Sequence, residues 1–343
     1  MHPLITLSKS TAKVPTAFCC CGPDILAISN KSGIIQLAKS NEIISSISIS
    51  IISGSRPPSI TSMVAPPTDL PNFGTVFAVS CVDGSIRIIE LSKDSSEMTE
   101  ARSISPITDS FAHKGIVSHL VWDIADRIIS CGHDQTIKLW DPRTCAHMDT
   151  HYGHQGPVHS LDILSYRKDT NQLSESIVPV SCGIDRTCRV WKLAEESHLC
   201  FRAPSSTISL ECVAAIGRLS GARVWVSGDQ KGGLSLWADN KKRPVFVTSI
   251  TKDWVNCICY DEKTQLVLAG TWNQVYCFKV EDHPLKLVQV GSVDVQGCVN
   301  QILIDSDKVK VLIGREHKSG RWKVFSGKDS FNGVLTIDFD EFE

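Results

Sequence analysis

The sequence predicts an all-β fold, a closed seven-bladed β-propeller, and three observations carry that prediction. One motif recurs along the chain, each copy reads as short apolar strands parted by turns, and the copies leave little room for a second domain. The clearest copies are Ser130-Cys131-Gly132-His133-Asp134-Gln135-Thr136-Ile137-Lys138-Leu139-Trp140 and Ser181-Cys182-Gly183-Ile184-Asp185-Arg186-Thr187-Cys188-Arg189-Val190-Trp191. Weaker copies lie at 80–89 and 227–237, so that the closing residues 89, 140, 191 and 237 fall 51, 51 and 46 apart. Degenerate copies at 28–38 and 268–278, and a last one containing Gly314-Arg315-Glu316-His317-Lys318-Ser319-Gly320-Arg321-Trp322 and running to Val324, bring the number to seven.

Taken in order, the blades start near residues 14, 60, 115, 157, 208, 254 and 297, all within one domain over 1–343. In the first, the alternating Ile and Ser of 43–52 reads as an outer strand, and the Pro-rich stretch around 57–71 as a long surface loop. In the fifth, Lys231 stands where Asp134 and Asp185 stand in their own blades, so this blade is expected to lack the turn aspartate and gain a cation. In the seventh, the charged stretch from Gly314 to Trp322 takes the place of the Asp-x-Thr turn. Ring closure needs one more strand, because an open edge leaves backbone groups unpaired. Two segments compete for it, 2–7 and 331–339.

Composition limits the function classes. The chain has 343 residues, 42% of them apolar, with 35 basic against 37 acidic side chains and a net charge of -2. Such a balance supplies no global field toward nucleic acid or membrane, so an anionic partner must be met by a local patch. There is no stretch of membrane-spanning length and no secretory leader at the start, so no membrane partner is expected. The 14 cysteines include no C-x-x-C pair, and the Cys19-Cys20-Cys21 run and Cys257-x-Cys259 are poor zinc spacings. Reduced, buried thiols of a cytosolic or nuclear protein are expected, with no metal and no cofactor. Cys81, Cys131 and Cys182 each follow the repeated Ser and read as small fillers at one equivalent strand position.

The repeat resembles the WD repeat: Gly153-His154 and the variant Ala112-His113 stand before their blades, and Trp140-Asp141 is the Trp-Asp pair itself. The resemblance implies four strands per blade and a hydrogen-bonded relay of structural side chains. The relay sets are His113, Ser130, Asp134 and Trp140, and His154, Ser181, Asp185 and Trp191. A His/Ser/Asp trio also suggests a hydrolase triad, but catalysis needs one copy and packing needs many. The same register implies a shared top face. His159, Glu211, Trp254, Asn256 and Asn300 reach it from the first strands, and His133, Arg186, Gln230, Lys231 and Thr271 from the turns. Arg315, Glu316, His317, Lys318 and Arg321 join them, with the basic members of that stretch projecting to meet phosphate or an acidic partner.

Further residues narrow the resemblance. Arg189-Val190-Trp191-Lys192-Leu193-Ala194-Glu195-Glu196-Ser197-His198-Leu199, the Lys241-Lys242-Arg243-Pro244 turn and the charged stretch of the last blade, in this order, are similar to the WD-repeat family of the U3 small nucleolar ribonucleoprotein. That resemblance implies a monomeric, non-catalytic component that binds U3 small nucleolar RNA at its box B/C stem beside a small kink-turn-binding core protein. It implies membership of the small-subunit pre-ribosome processing complex, in the nucleus and nucleolus. Members of the family carry a charged N-terminal extension; here Lys241-Lys242-Arg243, on the opposite face, is the nearest basic import signal. Two rival readings stay open from the residues alone, a protein-only scaffold using the same face and an enzyme built on a propeller. The second would need convergent unpaired acids, a metal cluster or an activated nucleophile, and none recurs outside the relay sets.

Overall fold

A computed structural model describes residues 5–6, 14–22, 24–51, 57–92, 97–105, 109–164, 177–204, 207–305, 308–320 and 332–342. Seven four-stranded antiparallel sheets follow one another around a ring. Their innermost strands are Pro15–Gly22, Ile60–Val64, Val117–Trp122, Val158–Leu164, Leu210–Leu219, Cys257–Asp261 and Cys298–Asp305, which define blades 1 to 7.

Burial explains why the middle strands look continuous and the outer ones alternate. Strands such as Ile128–Gly132 and Thr136–Trp140 are buried on both faces, because a neighbouring blade packs on each side. At the rim only one side of each residue pair is covered, and Glu42–Ser48 alternates exposed and half-buried residues along its length. The core accordingly has no single centre. Among the described residues seven apolar clusters occur, each at one blade–blade junction: Phe77, Ile60 and Leu37 between blades 1 and 2, for example, and Phe18, Leu312 and Val334 between blades 7 and 1.

Closure uses both candidate segments. Gly333–Asp338 is the third strand of blade 7, paired along Lys308–Gly314, and Ile5–Thr6 from the N-terminal end of the chain adds the fourth through the pairs Ile5 with Val334 and Thr6 with Gly333. This corrects the sequence reading of the last blade, in which the repeat ran to Val324. The second strand ends at Gly314, and the third is Gly-Val-Leu-Thr-Ile-Asp at 333–338, whose Val334 and Ile337 are buried. The stretch after Gly314 is thus not the tight turn of the other blades: Arg315 to Gly320 follow the second strand, and Arg321 and Trp322 lie outside the described residues.

Candidate top-face interface

Two relay sets hold blades 3 and 4. Trp140 Nε1–H donates to Ser130 Oγ at 2.9 Å, Ser130 Oγ lies 2.7 Å from His113 Nε2, and His113 Nδ1 lies 2.9 Å from Asp134. The blade 4 chain from Trp191 through Ser181 and His154 to Asp185 has distances of 2.8, 2.8 and 2.9 Å. Both serines are fully buried. A hydroxyl in that position packs a blade and reaches no substrate. The Ser-Cys-Gly motif has its own cause: a Cβ at Gly132 would meet the Ile116 carbonyl oxygen at 2.8 Å, and one at Gly183 would strike Pro157. Burial by itself would raise the carboxyl of Asp185. Hydrogen bonds from His154, the Gln155 N–H and Thr187 outweigh that and hold it well below the usual carboxylate range.

Blade 5 keeps a turn aspartate two residues early, which corrects the expectation drawn from Lys231. Asp229 Oδ1 accepts the N–H groups of Lys231 and Gly233, each at 2.8 Å, leaving Lys231 exposed at the tip.

Side chains near the inner-strand starts stitch the ring. Each reaches a carbonyl at or beside the start of the next blade's inner strand: Thr61 to Val117, Cys131 to Val158, His159 to Leu210, Cys212 to Val255, Cys257 to Val299, and Asn300 to Pro15. Six of the seven junctions carry such a link among the described residues. Three of the links come from thiols, so these cysteines are weak donors at blade seams as well as fillers. No group of three or more His, Cys, Asp or Glu able to hold a metal occurs among the described residues.

The charged stretch of blade 7 is pinned rather than free. Asn300, fully buried, donates its amide to the Pro15 carbonyl at 2.9 Å and the Glu316 carbonyl at 3.2 Å, and accepts the Lys318 N–H at 2.9 Å. Lys31, in the turn between the second and third strands of blade 1, pairs with Glu316 at 3.2 Å and donates to the Gly320 carbonyl at 3.2 Å. The His317 ring lies T-shaped against Trp254 with centroids 5.7 Å apart, and its Nδ1 accepts the Ser319 N–H. Burial, reinforced by the charge of Lys318, pushes His317 down to about 3, so the ring is neutral.

These contacts revise the binding list. His317, Asn256 and Asn300 do not project from the face: all three are buried, because each fills a blade seam or the underside of the loop. The Asn256 amide lies 3.3 Å from Cys298 Sγ. Glu316 is half-buried in its pair with Lys31, and Trp254 is half-buried beneath His317. The exposed cations are Arg315, Arg186 and Lys231. Lys318 is half-buried. Across the mouth of the central channel, His159 Nδ1 lies 3.3 Å from Glu211, whose Oε1 also accepts the Gln230 amide at 2.7 Å. Burial would lower His159, but the bond and charge of Glu211 overcome it and raise it above its ordinary value. His133 is exposed with its ring 6.2 Å from that of His159. Lys31 was missed in the sequence, although Asn30-Lys31-Ser32-Gly33 occupies the turn of a degenerate repeat.

Three comparisons bear on kinship. Residues 105–141 and 145–192 match the family model described as WD domain, G-beta repeat. An uncharacterized WD repeat-containing protein of Schizosaccharomyces pombe is 25% identical over 261 residues, covering 62% of this chain and 47% of that protein. The U3 snoRNP-associated protein-like EMB2271 of Arabidopsis thaliana is 25% identical over 243 residues, covering 65% of this chain and 47% of its own length. The chain thus spans about half the length of these curated relatives. A solved structure of U3-55K superimposes with a TM-score of 0.78 at 22% identity, over 98% of this chain and 97% of that one. With its matched repeats and the relay geometry of blades 3 and 4, the chain is a seven-bladed WD40 β-propeller.

Proposed function

We propose that the chain is a non-catalytic component of the U3 small nucleolar ribonucleoprotein. In this reading its top face engages the box B/C stem of U3 small nucleolar RNA together with the kink-turn-binding core protein, within the small-subunit pre-ribosome complex of the nucleolus. The observation that carries the reading is the pinned loop at 315–320. Asn300, Lys31 and Trp254, drawn from three blades, fix a segment that holds Arg315 and Lys318 at the top. A surface prepared in this way binds an anion without first paying to order its cations. The names of the relatives, U3 snoRNP-associated protein-like among them, supply the choice of ribonucleoprotein.

A composite RNA–protein surface also accounts for what accompanies the cations. Val82, Ile184 and Ile208, on the tops of blades 2, 4 and 5, are 42%, 47% and 55% exposed. Apolar side chains there suit a protein surface, while Arg186, Lys231 and Arg315 suit phosphate, which positions a nucleic acid without reading its sequence.

The test is a salt titration of stem binding by the triple variant R186N, K231A and R315A. Asparagine serves at 186 because that residue has φ of 59° and tolerates few side chains. If the three cations meet phosphates, the slope of log affinity against log salt becomes shallower by about one per residue. An unchanged slope in a folded variant would return these residues to the role of solvated turn tips.

A further inference from the structure

We propose that the outer strand of blade 5, with the basic turn that leads into it, is a docking edge for an extended acidic segment of a partner protein, which adds to the blade as a fifth antiparallel strand. The turn stands at the opposite end of the third strand, Gly233–Ala238, from Lys231 and the top face. The proposal therefore goes beyond the reading above and does not depend on it.

The edge comes first. An outer strand exposes unpaired backbone groups, and proteins guard such edges with charge. The outer strands of blades 1, 2, 3, 4 and 6 carry such charges, among them Glu42, Glu100, Asp149, Arg202 and Lys286. The outer strand of blade 5, Phe246–Ser249, carries no charged residue at all. It pairs with Gly233–Ala238 on one side, and no described strand pairs with the other. Phe246 packs against the core, while Val247 is 52% exposed and Val245, just before the strand, 39%. An unguarded edge with an apolar face is left open to another chain.

Charge is the second observation. Lys241, Lys242 and Arg243 directly precede this edge, and all three are exposed. Among the described residues no carboxylate pairs with them. The acid of the same turn, Asp239, accepts the Arg223 N–H at 3.0 Å and lies 3.6 Å from its Nη1. The turn is tied at both ends, with the Lys241 N–H donating to the Ala238 carbonyl at 3.0 Å and the Val245 N–H to the Leu236 carbonyl at 2.8 Å. Between those bonds, Lys241 to Val245 line a hollow of about 400 Å³. Three cations are thus held at one end of an edge that has no charge of its own.

Together these features select the partner. Strand addition takes its affinity from backbone hydrogen bonds and its specificity from alternate side chains, here those that cover Val247. Every pair in blade 5 is antiparallel, so an added strand of the same sense runs toward the turn and ends beside it. Its carboxylates then fall at the C-terminal end, where the cations meet them in charge-assisted hydrogen bonds. A phosphate backbone could use the same cations, but it would leave Val245 and Val247 uncovered. Phe246, the one ring of this segment, is half-buried and gives a base no platform for stacking. The surface fits an acidic protein segment better than a nucleic acid.

The experiment titrates the full chain with a capped peptide, Thr-Val-Thr-Val-Asp-Glu-Asp-Glu, with the same residues in the opposite order, and with single-stranded oligouridylate. We expect the first peptide to bind and to slow amide exchange at 246–249. The triple variant K241A, K242A and R243A should weaken it about tenfold or more and flatten its salt dependence, and V247S should weaken it about threefold. The opposite order should bind about tenfold more weakly. A first peptide that fails to bind at about millimolar concentration overturns the proposal. Equal affinity for the two orders without protection at 246–249 also overturns it, since charge alone would then be acting. Oligouridylate held through the three cations, with both peptides ignored, replaces the protein segment with a nucleic acid. Both variants change exposed side chains and keep the backbone bonds of the turn, so an unchanged thermal midpoint separates binding from folding. None of these outcomes bears on stem binding at the top face.

Discussion

Asp185 shows how a side chain read as chemistry becomes architecture. It is the terminus of a chain running from Trp191 through Ser181 and His154, and it also accepts the N–H groups of Gln155 and Thr187. Replacing it with Ala leaves a buried imidazole N–H and backbone donors without acceptors. We expect D185A to lose about 2–3 kcal/mol of stability by chemical denaturation at pH 7. The pH dependence has a definite sign. The carboxyls of Asp134 and Asp185 sit well below their usual range in the fold, so their contribution is present above the unfolded value of about 3.9 and is lost as pH falls beneath it. His154 is depressed too, because burial outweighs its bond to Asp185, so its neutral form is favoured by folding and stability declines as pH drops below about 6.5. The gap between wild type and D185A should therefore narrow below about pH 4. A gap that widens on acidification would contradict the assignment of an ionised Asp185. An equally stable D185A that no longer binds RNA would move this residue from architecture to the interface.

At the level of elements, the loop at 315–320 depends on one buried amide. Asn300 serves Pro15, Glu316 and Lys318 at once, linking the two ends of the ring as well as the loop. N300A should cost about 2–3 kcal/mol by leaving these groups unpaired, and amide exchange should accelerate at 316–320 more than in the strands of blade 4. Uniform acceleration throughout the ring would mean that Asn300 acts on closure alone. This element also marks the limit of what the chain spells out. The relay sets were legible because His, Ser, Asp and Trp recur at fixed places in two blades, and periodic chemistry survives without coordinates. The third strand of blade 7 was not, since Gly314 to Trp322 ends in an aromatic residue like the other copies and closes the pattern at Val324, nine residues before the strand Gly333–Asp338 begins. Likewise Asn256, Asn300 and His317 carry polar side chains at top-face positions, and only the fold shows that neighbouring blades bury them. Asp229 was hidden by a shift of two residues in its turn.

For the whole molecule, the ring supplies rigidity and the loops supply contact. Each blade buries its faces only against its neighbours, and the last blade is completed by Ile5–Thr6 from the opposite end of the chain. The result is one closed frame whose top gathers residues far apart in sequence, with Lys31 meeting Glu316 across 285 positions. In a nearly neutral chain, the cations Arg186, Lys231 and Arg315 on the top-face loops act through where they stand rather than through their number. The central claim, recognition of a ribonucleoprotein surface, is tested most directly by binding of the full chain to the U3 box B/C stem with and without the kink-turn core protein. A stem with scrambled kink-turn pairs is the control. The account predicts binding that requires the intact stem and tightens when the core protein is present. Equal affinity for intact and scrambled stems, in both settings, would contradict it and leave a WD40 propeller whose top face serves a protein partner alone.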